Sequence, residues 1–258
     1  MQRLRVRDQQ LEVRQISGSD ALAPIIFLHE GLGSVSLWTQ RGLDWPLAVC
    51  QATRRAGVVY SRRGYGQSEP VSSGRHVLQA DYLHQEAWQI LPDLLAQLGI
   101  QNPVLLGHSD GASIALLYAS SQPHTACIAM APHVMVEDVA VKSIAQAKTA
   151  FESNGLRKRL AKHHADVDGA FWQWNDVWLS RSFANFFDIR AECRRITAPL
   201  LLMQGMDDEY GTMLQIDEIA LAAPHAQQVR LSDCGHSPHR DQPQRCVESI
   251  VEFLCDTG

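Results

Sequence analysis

Pro103-Val104-Leu105-Leu106-Gly107-His108-Ser109-Asp110-Gly111-Ala112 decides the fold, because an apolar, β-branched run gives way at once to a Gly-x-Ser-x-Gly turn and then to a helical stretch ending near Ala119. A serine at so sharp a strand-to-helix turn is held in a strained backbone conformation. Glycines two residues before and after it let the helix and the neighbouring strand approach without a Cβ clash. The turn also sets the helix N-terminus beneath the hydroxyl, so free N–H groups and the positive dipole end face any negative charge that develops there.

Working outward, the chain alternates. Short runs at Ile25 to Leu28, Gly57 to Tyr60, Pro103 to Leu106, Cys127 to Met130 and Pro199 to Met203 read as buried strands of a mostly parallel sheet. Leu4 to Val6 and Leu11 to Ile16 alternate as an antiparallel hairpin at its edge. Leu83, Ala87, Ile90, Leu91, Leu94, Leu95 and Leu98 form one helical stripe, closed by Gly99 and kinked or divided by Pro92. In the last helix Asp241 serves as cap, Pro243 fits the first turn, and Cys246, Val247, Ile250, Val251 and Leu254 face inward. Strand-helix-strand alternation with short links predicts a doubly wound α/β domain, a central sheet flanked by helices.

Residues 132–196 break the rhythm, with helical segments following one another and no strand between them. They read as an inserted helical cap, leaving 1–131 and 197–258 as the core domain. The insertion holds Trp172, Trp174 and Trp178 and five of the seven Phe. These rings either roof a ligand pocket or form the small core that such an insertion needs.

The 258 residues are 45% hydrophobic and 20% charged, with a net charge of −5. That composition fits a globular chain able to bury a sizeable core. An acidic chain without a Lys/Arg block offers no footprint for nucleic acid or an anionic membrane. Arg3, Arg5 and Arg7 are not followed by the apolar core of a secretory signal, and no apolar run approaches the roughly 20 residues that cross a bilayer. Six cysteines without a C-x-x-C pair suit a reducing cytoplasm and argue against thiolate metal sites.

The Ser109 turn and the organisation around it resemble the α/β-hydrolase fold superfamily over nearly the whole chain. In that family the chain order is nucleophile, acid, histidine. His236, in Cys234-Gly235-His236-Ser237 after the strand-like Gln228 to Leu231, matches the position of the base. Asp208, in Gly205-Met206-Asp207-Asp208, matches the G-x-x-D acid, with adjacent Asp207 as its alternative; His239 is a rival to His236. The resemblance implies that Ser109 attacks, His236 takes its proton and Asp208 orients the imidazole and stabilises its cation.

His29-Glu30-Gly31-Leu32-Gly33-Ser34, after the strand Ile25 to Leu28, resembles the family's His-Gly turn opposite the nucleophile. Gly31 or Leu32, together with Asp110, becomes the predicted pair of oxyanion N–H donors. Glu30 departs from the usual glycine, which implies an ordinary backbone conformation there or a role in the mouth of the site. Neither Gly31-Leu32-Gly33 nor Gly64-Tyr65-Gly66 completes a dinucleotide fingerprint, the third glycine being Ser36 and Glu69. The second loop instead resembles the family's G-x-G-x-S turn, beside which Arg62 or Arg63 is read as forming solvated ion pairs.

Serine at the turn argues against relatives that use Asp there. The expected reaction is hydrolysis of a small carboxylic ester, thioester, lactone or related acyl substrate through an acyl-enzyme, with no cofactor. Candidate substrate-binding residues are Glu30, His108, Trp174, Trp178 and Phe183. Asp110 either receives an ammonium, as in amino-acid ester hydrolases of the family, or simply complements the helix dipole. His163, His164, His236 and His239 lack the spacing of a metal site. The alternatives are a carbon-carbon bond hydrolase of the dienoic-acid type and a non-enzymatic small-molecule receptor on the same fold; a homo-oligomer is left open.

Overall fold

The computed structural model describes residues 1–71, 78–153 and 155–256. An eight-stranded sheet forms its centre. Its strands are β1 (Gln2–Val6), β2 (Gln9–Ile16), β3 (Ile25–Leu28), β4 (Gly57–Ser61), β5 (Val104–His108), β6 (Ala126–Met130), β7 (Leu200–Gly205) and β8 (Gln227–Leu231). The spatial order is β1-β2-β4-β3-β5-β6-β7-β8. β1 and β2 pair antiparallel, as does β2 with β4, and the remaining neighbours are parallel. Every apolar run read as a strand is one, and the N-terminal hairpin takes the edge.

Both faces of the sheet are covered, because neighbouring residues of a strand point to opposite sides. Ile25 and Phe27 of β3 enter one core with Val104, Leu106, Ile128 and Met203, whereas Ile26 and Leu28 enter the other with Val58, Tyr60 and Leu105. The flanking helices are α1 (Trp45–Thr53), α2 (Tyr82–Gln85), α3 (Leu91–Gln97) and α4 (Asp110–Ala119). Pro92 does divide its helical stripe. With no N–H at residue 92 the regular bond to the preceding turn is lost, and Glu86–Ile90 forms a π turn between α2 and α3.

Among the described residues five helices lie between β6 and β7: α5 (Asp138–Glu152), α6 (Gly155–Leu160), α7 (Val167–Trp178), α8 (Arg181–Phe186) and α9 (Arg190–Cys193). Most of their rings pack on each other. Phe151 stacks on Phe171 at 3.8 Å, and Phe183 on Phe187 at 4.9 Å with Trp178 alongside.

The chain closes with α10 (Leu214–Ala222), α11 (Pro238–Asp241) and α12 (Pro243–Asp256). Asp241 is not the cap of α12. It ends the one-turn α11, and its Oδ2 accepts from Gly235 N–H at 3.0 Å. The inner face of α12 also carries Phe253 beside Cys246, Ile250 and Leu254, while Val247 and Val251 are half-buried. No helix among the described residues is long and apolar enough to cross a membrane.

Candidate active site

Ser109 sits between β5 and α4 at φ 54°, ψ −120°. The flanking glycines are required by close approach: a Cβ on Gly107 would lie 2.2 Å from Gly111 O, and one on Gly111 2.0 Å from Leu28 O. Asp110 is the first residue of α4, so its N–H lacks an intrahelical acceptor and stands beside the serine.

Ser109 Oγ–H donates to His236 Nε2 at 2.9 Å. On the other side of the ring, His236 Nδ1–H faces both Asp208 oxygens, at 2.8 and 2.9 Å. Those oxygens also accept from Tyr210 N–H at 2.8 Å, Gly211 N–H at 3.1 Å and the Gln204 amide at 3.1 Å. Burial alone would raise the Asp208 carboxyl, but the bond from His236, the imidazole's charge and the Tyr210 N–H bring it below the ordinary carboxylate range. Asp207 is exposed and makes no such contact with the imidazole. His239 is enclosed by His108, Trp38 and Trp45, with ring centroids 4.7, 4.9 and 5.5 Å away.

The His236 ring is held from behind as well. His108 Nε2–H donates to the backbone carbonyl of His236 at 2.7 Å, and His236 N–H donates to Glu209 Oε2 at 3.2 Å. Tyr210 lies 4.8 Å from the imidazole centroid and His133 5.6 Å; burial drives His133 down to about 3 and keeps that neighbour uncharged.

Opposite the serine, Gly33 N–H donates to Glu30 O at 3.0 Å, closing a turn with Gly31 and Leu32 at its centre. Arg62 fixes this turn. Its guanidinium donates to His29 O at 2.5 Å and Glu30 O at 3.0 Å, and its backbone N–H to His29 Nε2 at 3.0 Å. Arg62 is therefore buried, not in a solvated pair: its strand-end position places it under the turn, 3.8 Å from Asp110 Oδ2. His164 clamps the same turn, its Nε2–H donating to Leu32 O at 3.0 Å while Nδ1 accepts from Gly66 N–H at 2.9 Å.

Between these elements lies a cavity of about 270 Å³ that holds Ser109 and His236. Leu32, Leu37, Leu156, Leu160 and Trp174 form its apolar wall, and Glu30, Glu209 and Arg240 its polar one. Trp174 and His108 reach the cavity, as the sequence suggests; Trp178 and Phe183 do not. Trp178 Nε1–H instead donates to Asp110 Oδ1 at 3.2 Å, and Phe183 packs on Trp178 and Tyr82. Asp110 is also turned away, its Oδ2 accepting from Tyr82 OH at 2.7 Å, so no carboxylate is free there for an ammonium. Burial raises the Asp110 carboxyl, with Arg62, Tyr82 and Trp178 opposing.

Glu30 adopts an ordinary backbone conformation and reaches the cavity mouth, where Arg240 donates to its Oε1. Arg240 escapes sequence reading, although a carboxylate in an apolar turn calls for a cation. Nothing in the helical patterns singles out Leu156 or Leu160. No cluster of three or more His, Cys, Asp or Glu suited to a metal occurs among the described residues. The arrangement can move a proton from a hydroxyl to an imidazole whose cation a carboxylate stabilises.

A sequence model of the alpha/beta hydrolase family matches residues 25–249, and the chain belongs to that family. The sn-1-specific diacylglycerol lipase ABHD11 of Mus musculus is 25% identical over 96% of this chain and 86% of its own. Among solved structures, the enol-lactonase from Burkholderia xenovorans LB400 superposes with a TM-score of 0.75 at 19% identity, covering 98% of this chain and 100% of that one. A thermophilic esterase from Thermogutta terrifontis gives 0.74 at 18% identity, covering 100% and 99%. These two likenesses are of fold.

Proposed function

We propose that this protein is a serine hydrolase acting on a small carboxylic ester, thioester, lactone or related acyl compound. The unbroken line from Ser109 Oγ through His236 to Asp208, opening into a small cavity, carries the reading. Ser109 attacks the acyl carbon as His236 Nε2 takes its proton, and Asp208 stabilises the imidazolium. The N–H groups of Asp110 and of Gly31 or Leu32 hold the tetrahedral oxyanion. His236 returns the proton to the leaving oxygen or sulfur, then draws one from a water that attacks the acyl-serine and hands it to Ser109 Oγ as the acid departs. Water is the sole co-substrate in these steps.

In this reading residues 132–196 are a cap over a core of 1–131 and 197–258, supported by the position of Leu156, Leu160 and Trp174 over the serine. Six free thiols, five of them buried, suit a cytoplasmic setting. A fluorophosphonate adduct mapped by mass spectrometry tests the assignment. Labelling on Ser109, with many turnovers of a p-nitrophenyl ester, is expected. Labelling elsewhere, or full turnover by Ser109→Ala, overturns it. Retention of one product per chain would favour the receptor, and turnover of vinylogous diketones with inert esters the carbon-carbon hydrolase.

A further inference from the structure

Two of the three charged side chains on the polar wall, Glu30 and Arg240, pair with each other. Arg240 Nη2 donates to Glu30 Oε1, with side-chain exposures of 27% and 15%. The other Glu30 oxygen stands 3.6 Å from His108 Nδ1, inside the wall. From this we infer that the cavity selects uncharged acyl groups, and that the Glu30–Arg240 pair sets this selectivity. The inference rests on the serine hydrolase reading and names the substrate class for it.

A substrate carboxylate at Arg240 would share the guanidinium with Glu30 and meet the repulsion of that partly buried carboxylate. A substrate ammonium at Glu30 would in turn meet the repulsion of the Arg240 guanidinium. Asp110 offers no alternative acceptor, because Tyr82 and Trp178 occupy its oxygens. Glu209 is the remaining charge on the wall. It is exposed, its Oε2 accepts from His236 N–H, and its field is screened by water.

Facing this neutralised pair are Leu32, Leu37, Leu156, Leu160 and Trp174, against which any charge loses hydration and gains no partner. At about 270 Å³ the cavity lies just below the roughly 300–1,000 Å³ typical of drug-sized ligands. The fitting class is therefore an uncharged ester or lactone with a short apolar acyl group.

The test uses three ethyl esters of similar length, butyrate, hemisuccinate and γ-aminobutyrate, followed by release of ethanol, since an alkoxide leaving group keeps the two charged acyl chains from cyclising. The readout is kcat/KM for each charged ester relative to butyrate within one variant, so that a general loss of activity cancels. Wild type is expected to favour butyrate over both by at least about tenfold. Glu30→Gln should raise the hemisuccinate ratio about tenfold, Arg240→Gln should raise the γ-aminobutyrate ratio similarly, and the double variant should return to butyrate preference. Ratios that stay flat across the variants, or a wild type indifferent to charge, overturn the inference while leaving Ser109-dependent turnover intact. Calorimetric binding of the same esters to Ser109→Ala reads charge preference without chemistry. Butyrate ester binding there, in a wild type that turns nothing over, sinks the hydrolase reading and keeps the selectivity. Absence of any binding removes the selectivity as well.

Discussion

The indole of Trp174 rests on Gly31: a Cβ built at residue 31 would lie 2.1 Å from Nε1 and 2.4 Å from Cδ1. Helix α7 thus packs directly on the turn that faces Ser109. Gly31→Ala should push turn and indole apart and lower kcat/KM by about 100-fold to 1000-fold, the scale of a lost oxyanion donor, with an unchanged far-UV spectrum. Adding Trp174→Ala makes room and should restore part of the loss. Wild-type kinetics in Gly31→Ala would show that this contact is dispensable.

Ser109, His236 and Asp208 should behave as one unit. Ser109→Ala and His236→Ala are each expected to remove nearly all turnover, and the double variant little more. Asp208→Asn should reduce kcat by about 10⁴-fold through the imidazole tautomer, whereas Asp207→Asn should stay within about twofold of wild type. Steady-state rates on one ester decide it, and multiplying losses in the Ser109 and His236 double variant would contradict the unit.

Arg62 and Asp110 are a structural pair, each almost wholly buried. Removing either charge strands the other, which costs about 3–5 kcal/mol in comparable sites. Arg62→Met should therefore lower the denaturant midpoint strongly. Asp110→Ala should lose efficiency equally on cationic and neutral esters, since its carboxylate faces away from the cavity. A selective loss on amino-acyl esters would mean that Asp110 reaches the substrate.

Burial pushes the His164 ring from its ordinary 6.5 down to about 4, and its Nδ1 must stay unprotonated to accept from Gly66 N–H. The unfolded chain takes up this proton near pH 6.5, but the folded chain refuses it until about 4. Stability is then full above that upper value and falls with acidification, by up to about 1.4 kcal/mol per pH unit for this one ring. His133 acts in the same direction. Urea denaturation at about pH 7.5 and about pH 5 checks the slope, which His164→Asn should flatten; an equal midpoint at both values in wild type would refute it.

Regular elements were legible because each is set by local pattern. Ile25 to Leu28 is apolar at every position and becomes a central strand, and glycines spaced around Ser109 announce a turn that only they can make. What the sequence concealed is side-chain partnership across distance. Asp110 and Glu30 look alike as acids near Ser109, yet one turns inward to Tyr82 and Trp178 while the other meets Arg240 from the far end of the chain. Arg62 reads as a surface cation because burial of a guanidinium depends on carbonyls supplied by the turn that follows another strand. Trp178 and Phe183 carry the composition of a pocket lining, but helical phase alone does not say which rings face a pocket and which join the core under the sheet's helices.

The positive φ of 54° at Ser109 has a thermodynamic corollary. A non-glycine residue held in so sparsely populated a conformation costs about 1–3 kcal/mol, which glycine would mostly relieve. Folding alone would favour Ser109→Gly, and that variant should melt at a higher temperature than its parent while doing no chemistry. If Ser109 is the attacking group proposed above, serine here trades robustness to heat for reactivity, and a lineage no longer selected for turnover would be free to let it go.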